Sequence, residues 1–339
     1  MKYRLLGKTD LQVSVIGLGC GRLGSVTQAG GDQSALRVIG SALDAGINFF
    51  DTADIYGQGA SERLLAQALK GRRERVVFAT KAGFCLSALG QIARRAKPLL
   101  RKLLGKRSSL SKSVQKVRAA QSRQDFSAAY LARRLEGSLK RLQVDAVDIF
   151  LLHSPPMEVL RRGEVFQTLE TFKQQGKIRH YGVSCRELGD LPLCLAHPNV
   201  SVLQFELNLL QPDAPQQLLS LARERGAGVV ARGALAAGLL LRTAAELRPE
   251  HCASRPEIFE DLQLRMQWLE KLAARAGCSL PELAMRFLLQ MENVSTTLIG
   301  TTNADHLRAH LAAVDSPSLP PEILAELGSA PPVEPAASR

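Results

Sequence analysis

What this 339-residue chain lacks narrows its class before any motif is read. It has no run of about 18 apolar residues, the length a membrane-crossing helix needs, and no basic n-region leading into an apolar h-region. Neither a membrane span nor a secretory signal is therefore expected. The six cysteines, Cys20, Cys85, Cys185, Cys194, Cys252 and Cys278, lie far apart without metal-like pairing, which points to reduced thiols in a cytoplasmic protein. The histidines have no metal-ligand spacing either, so no metal is expected.

Acidic residues are missing from Arg75 to Gln124, and there the net charge of +12 finds its source. Between residues 92 and 123, Arg94, Arg95, Lys97, Arg101, Lys102, Lys106, Arg107, Lys112, Lys116, Arg118 and Arg123 supply eleven positive charges. The charge thus belongs to an insertion of about residues 85–124, not to the rest of the chain. Ile92 to Leu104 interleaves apolar with basic residues as an amphipathic helix would, and the Ser-rich remainder reads as mobile. A lid over a site, a contact with an anionic surface or a solvated loop all fit this segment. Nucleic acid is disfavoured: the insertion holds no aromatic, Phe84 standing just before it, and no known binding module is present.

With 45% hydrophobic residues, the chain can bury one large core. Strand candidates lie near Val13–Leu18, Ile47–Asp51, Arg75–Thr80, Val147–Leu152, Ile178–Ser184, Val200–Phe205, Ala227–Ala231 and Thr297–Gly300. Helical periodicity is clearest in Ser34–Ala45, Ser61–Leu69, Ala128–Leu142, Glu164–Gln175, Pro215–Arg225, Ile258–Ala276 and Leu280–Gln290. Eight strands alternating with helices predict a closed α/β (TIM) barrel. Tyr3–Leu6 and Leu11–Val13 form a hairpin ahead of it, and 1–327 make one domain. Residues 328–339, rich in Pro, Ala and Ser, read as a disordered tail.

Asp51, Tyr56, Lys81 and His153 each stand at or just after the end of an apolar run. Singly, each has a structural explanation as a helix cap, rim aromatic, solvated lysine or satisfied histidine. In a parallel barrel, however, the carboxyl ends of the strands converge on one face, and the four together make an active site. Tyr56 is a proton donor for carbonyl reduction, but a phenol with a pKa of about 10 releases its proton poorly at neutral pH. Lys81 can favour that release, Asp51 can hold the ammonium, and His153 can hydrogen-bond the substrate oxygen. The hydride must come from a cofactor, because no side chain carries one.

FDTADIYG at 50–57, Thr80-Lys81 and LLHSP at 151–155 resemble the aldo-keto reductase family, and the resemblance runs from about Tyr3 to Leu311. GLGCG, GVSC, VLQFELN, ARGALAAGLL and IGTT follow in order. The resemblance implies an eightfold barrel, a nicotinamide cofactor and reduction of a small-molecule aldehyde or ketone. It implies that Gly19, Cys20 and Gly21 leave room for nicotinamide and substrate beside Asp51. Ser184 and Gln204 match the residues that hold the carboxamide, although Cys185 replaces the usual Asn. Arg232 stands at an aromatic position, and Gly233, Ala234, Leu235 and Gly238 belong to the segment whose amides meet the pyrophosphate. Gly300, Thr301, Thr302, His306 and His310 fall in the adenosine-binding stretch. The resemblance favours NADPH over NADH, yet Thr302 stands where a basic residue is common and Ala309-His310 replaces an acid-Asn pair.

Three other readings need weighing. Residues 19–24 formally match a dinucleotide-binding fingerprint, but the next helix begins only near Asp32, too late to meet a pyrophosphate there. A cofactor-binding regulatory or scaffold protein on the same fold is a second reading. The third is elimination or redox rearrangement of a sugar-like substrate.

Overall fold

The apolar runs become strands where expected. The computed structural model describes residues 1–25, 30–86, 122–211, 216–252 and 258–329. In chain order the strands are β1 (Tyr3–Leu5), β2 (Gln12–Ser14), β3 (Ile16–Gly19), β4 (Phe49–Asp51), β5 (Val77–Ala82), β6 (Phe84–Leu86), β7 (Ser122–Gln124), β8 (Val147–His153), β9 (Ile178–Ser184), β10 (Val202–Glu206), β11 (Gly228–Arg232) and β12 (Thr296–Ile299). Eight of them close a barrel in the order β10-β11-β12-β3-β4-β5-β8-β9. The paired barrel strands run parallel. The fold is a (β/α)8 barrel.

The chain forms two compact units. Residues 18–184 and 300–304 hold β4, β5, β8 and β9 with helices α1 (Gly31–Asp44), α2 (Ala60–Ala68), α3 (Ala128–Leu142), α4 (Met157–Arg162) and α5 (Glu164–Gln174). Helix α3 shows why these segments fold as they do. Ser127 caps its start by accepting from the Tyr130 amide, Gln143 ends it at a left-handed φ of 58°, and Leu131, Leu135, Leu139 and Leu142 line its buried face.

Strand β8 is buried through six of its seven residues, as a strand covered on both faces must be. Its one acid, Asp148, is tolerated there because both carboxylate oxygens are met by a donor and the charge is paired. Asp148 accepts from the Phe78 amide at 2.8 Å and pairs with Arg73 at 2.8 Å and Arg179 at 2.7 Å.

The other unit comprises the described parts of residues 1–17, 185–299 and 305–339. Its hairpin pairs Tyr3 with Ser14 and Leu5 with Gln12, one residue away from the expected boundaries. Its helices are α6 (Leu191–Leu195), α7 (Gln216–Glu224), α8 (Phe259–Arg275), α9 (Leu280–Gln290), α10 (Ala304–Leu311), whose first residue falls in the other unit, and α11 (Pro321–Ser329). Helix α11 takes in Gly328 and Ser329, and residues 330–339 of the expected tail lie outside the described part. The basic segment, apart from residues 85–86 and 122–124, lies outside it as well. The two ends of that segment form an element that the strand count omitted, an antiparallel pairing of β6 with β7. No helix among the described residues is long and apolar enough to cross a membrane.

Candidate active site

The four candidate groups lie in residues 18–184. Three strands deliver three of them: Asp51 ends β4, Lys81 is the penultimate residue of β5 and His153 ends β8. The register pairs Asp51 with Ala79 and Lys81 with Leu151, so these strand ends lie side by side. Tyr56 opens a 3-10 turn immediately after β4.

Lys81 organises the group. Its ammonium is 1% exposed and lies 2.7 Å from Asp51 Oδ2, 2.9 Å from the Thr52 carbonyl and 3.5 Å from the Tyr56 hydroxyl. It also lies 5.0 Å from the centroid of the phenol ring. Burial alone would lower the lysine pKa, but Asp51 and Tyr56 together raise it above the usual value, so Lys81 stays charged. The His153 ring meets Tyr56 edge-on, with centroids 5.7 Å apart and planes at 88°.

Two further ion pairs next to this group, each with a buried acid, were not foreseen. Asp54, also in the motif at 50–57, is buried and pairs with Arg134 of α3. Burial drives the Asp54 carboxyl up to about 6 despite that cation. Glu62 on α2 accepts from Thr80 at 2.8 Å and pairs with Arg141 at 2.6 Å. The seven-residue spacing of Arg134 and Arg141, two turns of one helix, is the signal that could have revealed both.

Gly19 ends β3, and Cys20 follows, buried, with its amide donating to the Asp51 carbonyl at 2.8 Å. Burial, then Asp51, pushes the Cys20 thiol well up. A Cβ on Gly21 would lie 3.5 Å from the Tyr56 ring. Gly24, the last glycine of the fingerprint, sits in a turn at φ 69°, where a Cβ would lie 2.6 Å from that of Ala60. It packs a turn, and the first described helix after it begins at Gly31. Ser184 ends β9, buried. Gly300 and Thr301 follow β12, Thr301 receiving the Asn303 amide at 3.1 Å, and the Thr302 carbonyl accepts from Ser34 at 2.9 Å.

The remaining positions belong to the other unit. Cys185 is buried with its Sγ 3.7 Å from Cys194 Sγ, and its amide donates to the Gln204 carbonyl at 2.8 Å. Cys194, then burial, holds the Cys185 thiol well above its ordinary value, so this side chain is engaged away from any amide-like role. Gln204 is buried on β10. Arg232 ends β11, pairing with Glu206 at 3.2 Å and donating to the Cys185 carbonyl at 3.2 Å. Gly233, Ala234 and Leu235 lead into the 3-10 segment Ala236–Leu241, which contains Gly238. On α10, His306 is exposed and His310 half-buried, its pKa lowered by burial and then by His306. Arg308 is taken up by an ion pair with Asp305 on the same helix.

Residues 15–330 match the aldo/keto reductase family. The chain belongs to that family. This aldo/keto reductase is 28% identical to YqkF, an oxidoreductase of Bacillus subtilis, with 97% of this chain and 96% of that one covered. It is also 28% identical to the NADH-specific methylglyoxal reductase of Escherichia coli, over 93% and 94% of the two chains. Among solved structures it resembles the holo form of aldo-keto reductase AKR11C1 from Bacillus halodurans, with a TM-score of 0.76, 28% identity and coverage of 100% and 98%. The enzyme is accordingly an oxidoreductase.

Proposed function

We propose that the protein reduces a small-molecule aldehyde or ketone to the alcohol with a nicotinamide dinucleotide, residues 1–327 serving as one catalytic domain. The observation that carries this reading is the buried Lys81 ammonium set between Asp51 and the Tyr56 hydroxyl. That arrangement is what a phenol needs in order to act as a proton donor near neutral pH.

The backbone after β11 fits the cofactor. Gly233, Ala236, Ala237 and Gly238 all have left-handed φ, 70°, 46°, 54° and 98°. Two consecutive left-handed alanines carry strain that persists only where surrounding structure imposes it, and concave backbone of this kind presents amides to anions. This supports a pyrophosphate held by residues 233–238. Ser184 and Gln204 would hold the carboxamide, Gly19, Cys20 and Gly21 would leave it room, and the tethered guanidinium of Arg232 has a fixed plane for stacking. The cofactor supplies the hydride.

The chain's own residues do the rest. Tyr56 gives its hydroxyl proton to the substrate oxygen, Lys81 stabilises the charge left behind, and Asp51 keeps Lys81 in place. His153 hydrogen-bonds the carbonyl and orients it.

On the choice of cofactor, the side chains support NADH over the NADPH that resemblance alone favours. Thr302 carries no charge, and Asp305 places an acid in the first turn of α10 and occupies Arg308, where a 2′-phosphate would require a free cation. The NADH specificity in the name of the Escherichia coli relative agrees.

Titration with NADH and NADPH separately, followed by turnover of an aromatic aldehyde and an ortho-quinone with product analysis, tests the reading. Alcohol formed with consumption of cofactor is the expected result. Tight binding without turnover of any carbonyl would favour the regulatory reading instead.

A further inference from the structure

The reaction scheme leaves the strand pair β6–β7 unused, yet both of its strands touch His153 at one end. Gln124 donates from Nε2 to the Ser154 carbonyl at 2.7 Å and lies 3.4 Å from the His153 carbonyl. Ser154 has a φ of 52°, left-handed for a residue with a side chain, and its amide donates to the Ser184 carbonyl at 2.8 Å. The chain leaving His153 is thus held in an unfavourable conformation by contacts on both sides.

Phe84 is the register partner of Gln124. Its ring meets the His153 imidazole edge-on, with centroids 4.8 Å apart and planes at 87°. Together with Tyr56, two perpendicular aromatic contacts fix the imidazole plane. The pair is itself anchored. Tyr130 of α3 donates to the Phe84 carbonyl at 2.8 Å, and the Asp125 amide to the Gly83 carbonyl at 2.9 Å. Gly83, at φ 141°, lets the Phe126 ring approach to where any Cβ would lie 2.4 Å from it.

We propose that Gln124 and Phe84 are positioning residues for His153, Gln124 fixing the backbone that carries it and Phe84 fixing the plane of its ring. The strand pair then determines where the imidazole meets the substrate oxygen. The catalytic consequence rests on the reductase reading above, whereas the effect on the geometry of His153 does not.

Gln124→Leu removes the donor at similar volume, and Phe84→Leu removes the ring. Each would be compared with wild type by kcat and KM, by cofactor Kd, and by the nuclear magnetic resonance signal of the 15N-labelled His153 ring, assigned from its loss in His153→Asn. For Gln124→Leu the expected result is a displaced His153 signal, kcat lower by roughly 10- to 100-fold, and cofactor Kd within about twofold of wild type. Gln124→Lys, which returns a donor to the same position, should restore the signal. A purely structural role would lower thermal stability and leave that signal in place. Should Gln124→Leu not fold, Gln124→Asn, with the donor one methylene shorter, carries the same expectations. A folded variant with the wild-type His153 signal overturns the proposal. If the wild type reduces no carbonyl, the reductase reading fails and the His153 signal alone decides this one.

Discussion

The Lys81 ammonium lies 2.7 Å from Asp51 Oδ2, and both side chains are almost wholly removed from water. An ion pair in that position costs much to break from one side, because the remaining charge stays buried. Lys81→Met and Asp51→Asn should each destabilise the fold by about 3–5 kcal/mol. The double variant should lose less than the sum, a coupling that denaturant unfolding of all four proteins would measure.

Tyr56→Phe keeps the ring against His153 and removes only the hydroxyl. Turnover should fall by about 10²- to 10⁴-fold, the usual contribution of a positioned acid, while cofactor binding by calorimetry stays unchanged. Near-normal turnover would remove Tyr56 from the chemistry.

Asp54 gives the fold a pH signature. Its carboxyl stands near 6 in the folded protein against an ordinary value of 3.8, with burial as the main cause. The folded state therefore holds this proton more tightly than the unfolded one. Its contribution is fully present below about pH 4 and is lost as pH rises through 6. The stability of wild type relative to Asp54→Asn should accordingly fall between pH 4 and 6 and level off above, as read from thermal unfolding at a series of pH values. Removing the opposing cation with Arg134→Met should move the upper end of that window to higher pH.

Asp305→Asn should improve NADPH binding relative to NADH by several-fold, since it releases Arg308 and removes a charge that repels a 2′-phosphate. Calorimetric Kd values for both cofactors would reveal it. An unchanged ratio would place the discrimination elsewhere.

The barrel was legible because its strands are covered on both faces and so read as uninterrupted apolar runs, Val147–Leu152 most plainly. The four candidate groups stand out for the same reason: Asp51, Lys81 and His153 stand at the ends of such runs and Tyr56 shortly after one. Gln124 and Phe84 do not, since their partnership depends on the pairing of two segments separated by residues 87–121. No local pattern fixes that register. Helix α11 was not among the expected helices; it begins at Pro321, and proline at a first helical position costs no hydrogen bond. The replacement of Asn by Cys185 looked like a lost amide contact. Its engagement with Cys194, nine residues away on α6, needed coordinates.

The carboxylate of Asp148 gathers an amide of β5 and two guanidinium groups near the start of β8, at the opposite end of that strand from His153. One rim of β5, β8 and β9 is thereby riveted at the end away from the candidate groups. These three strands keep that anchorage whatever sequence follows His153, so the loop there is the part of the rim with most room to vary.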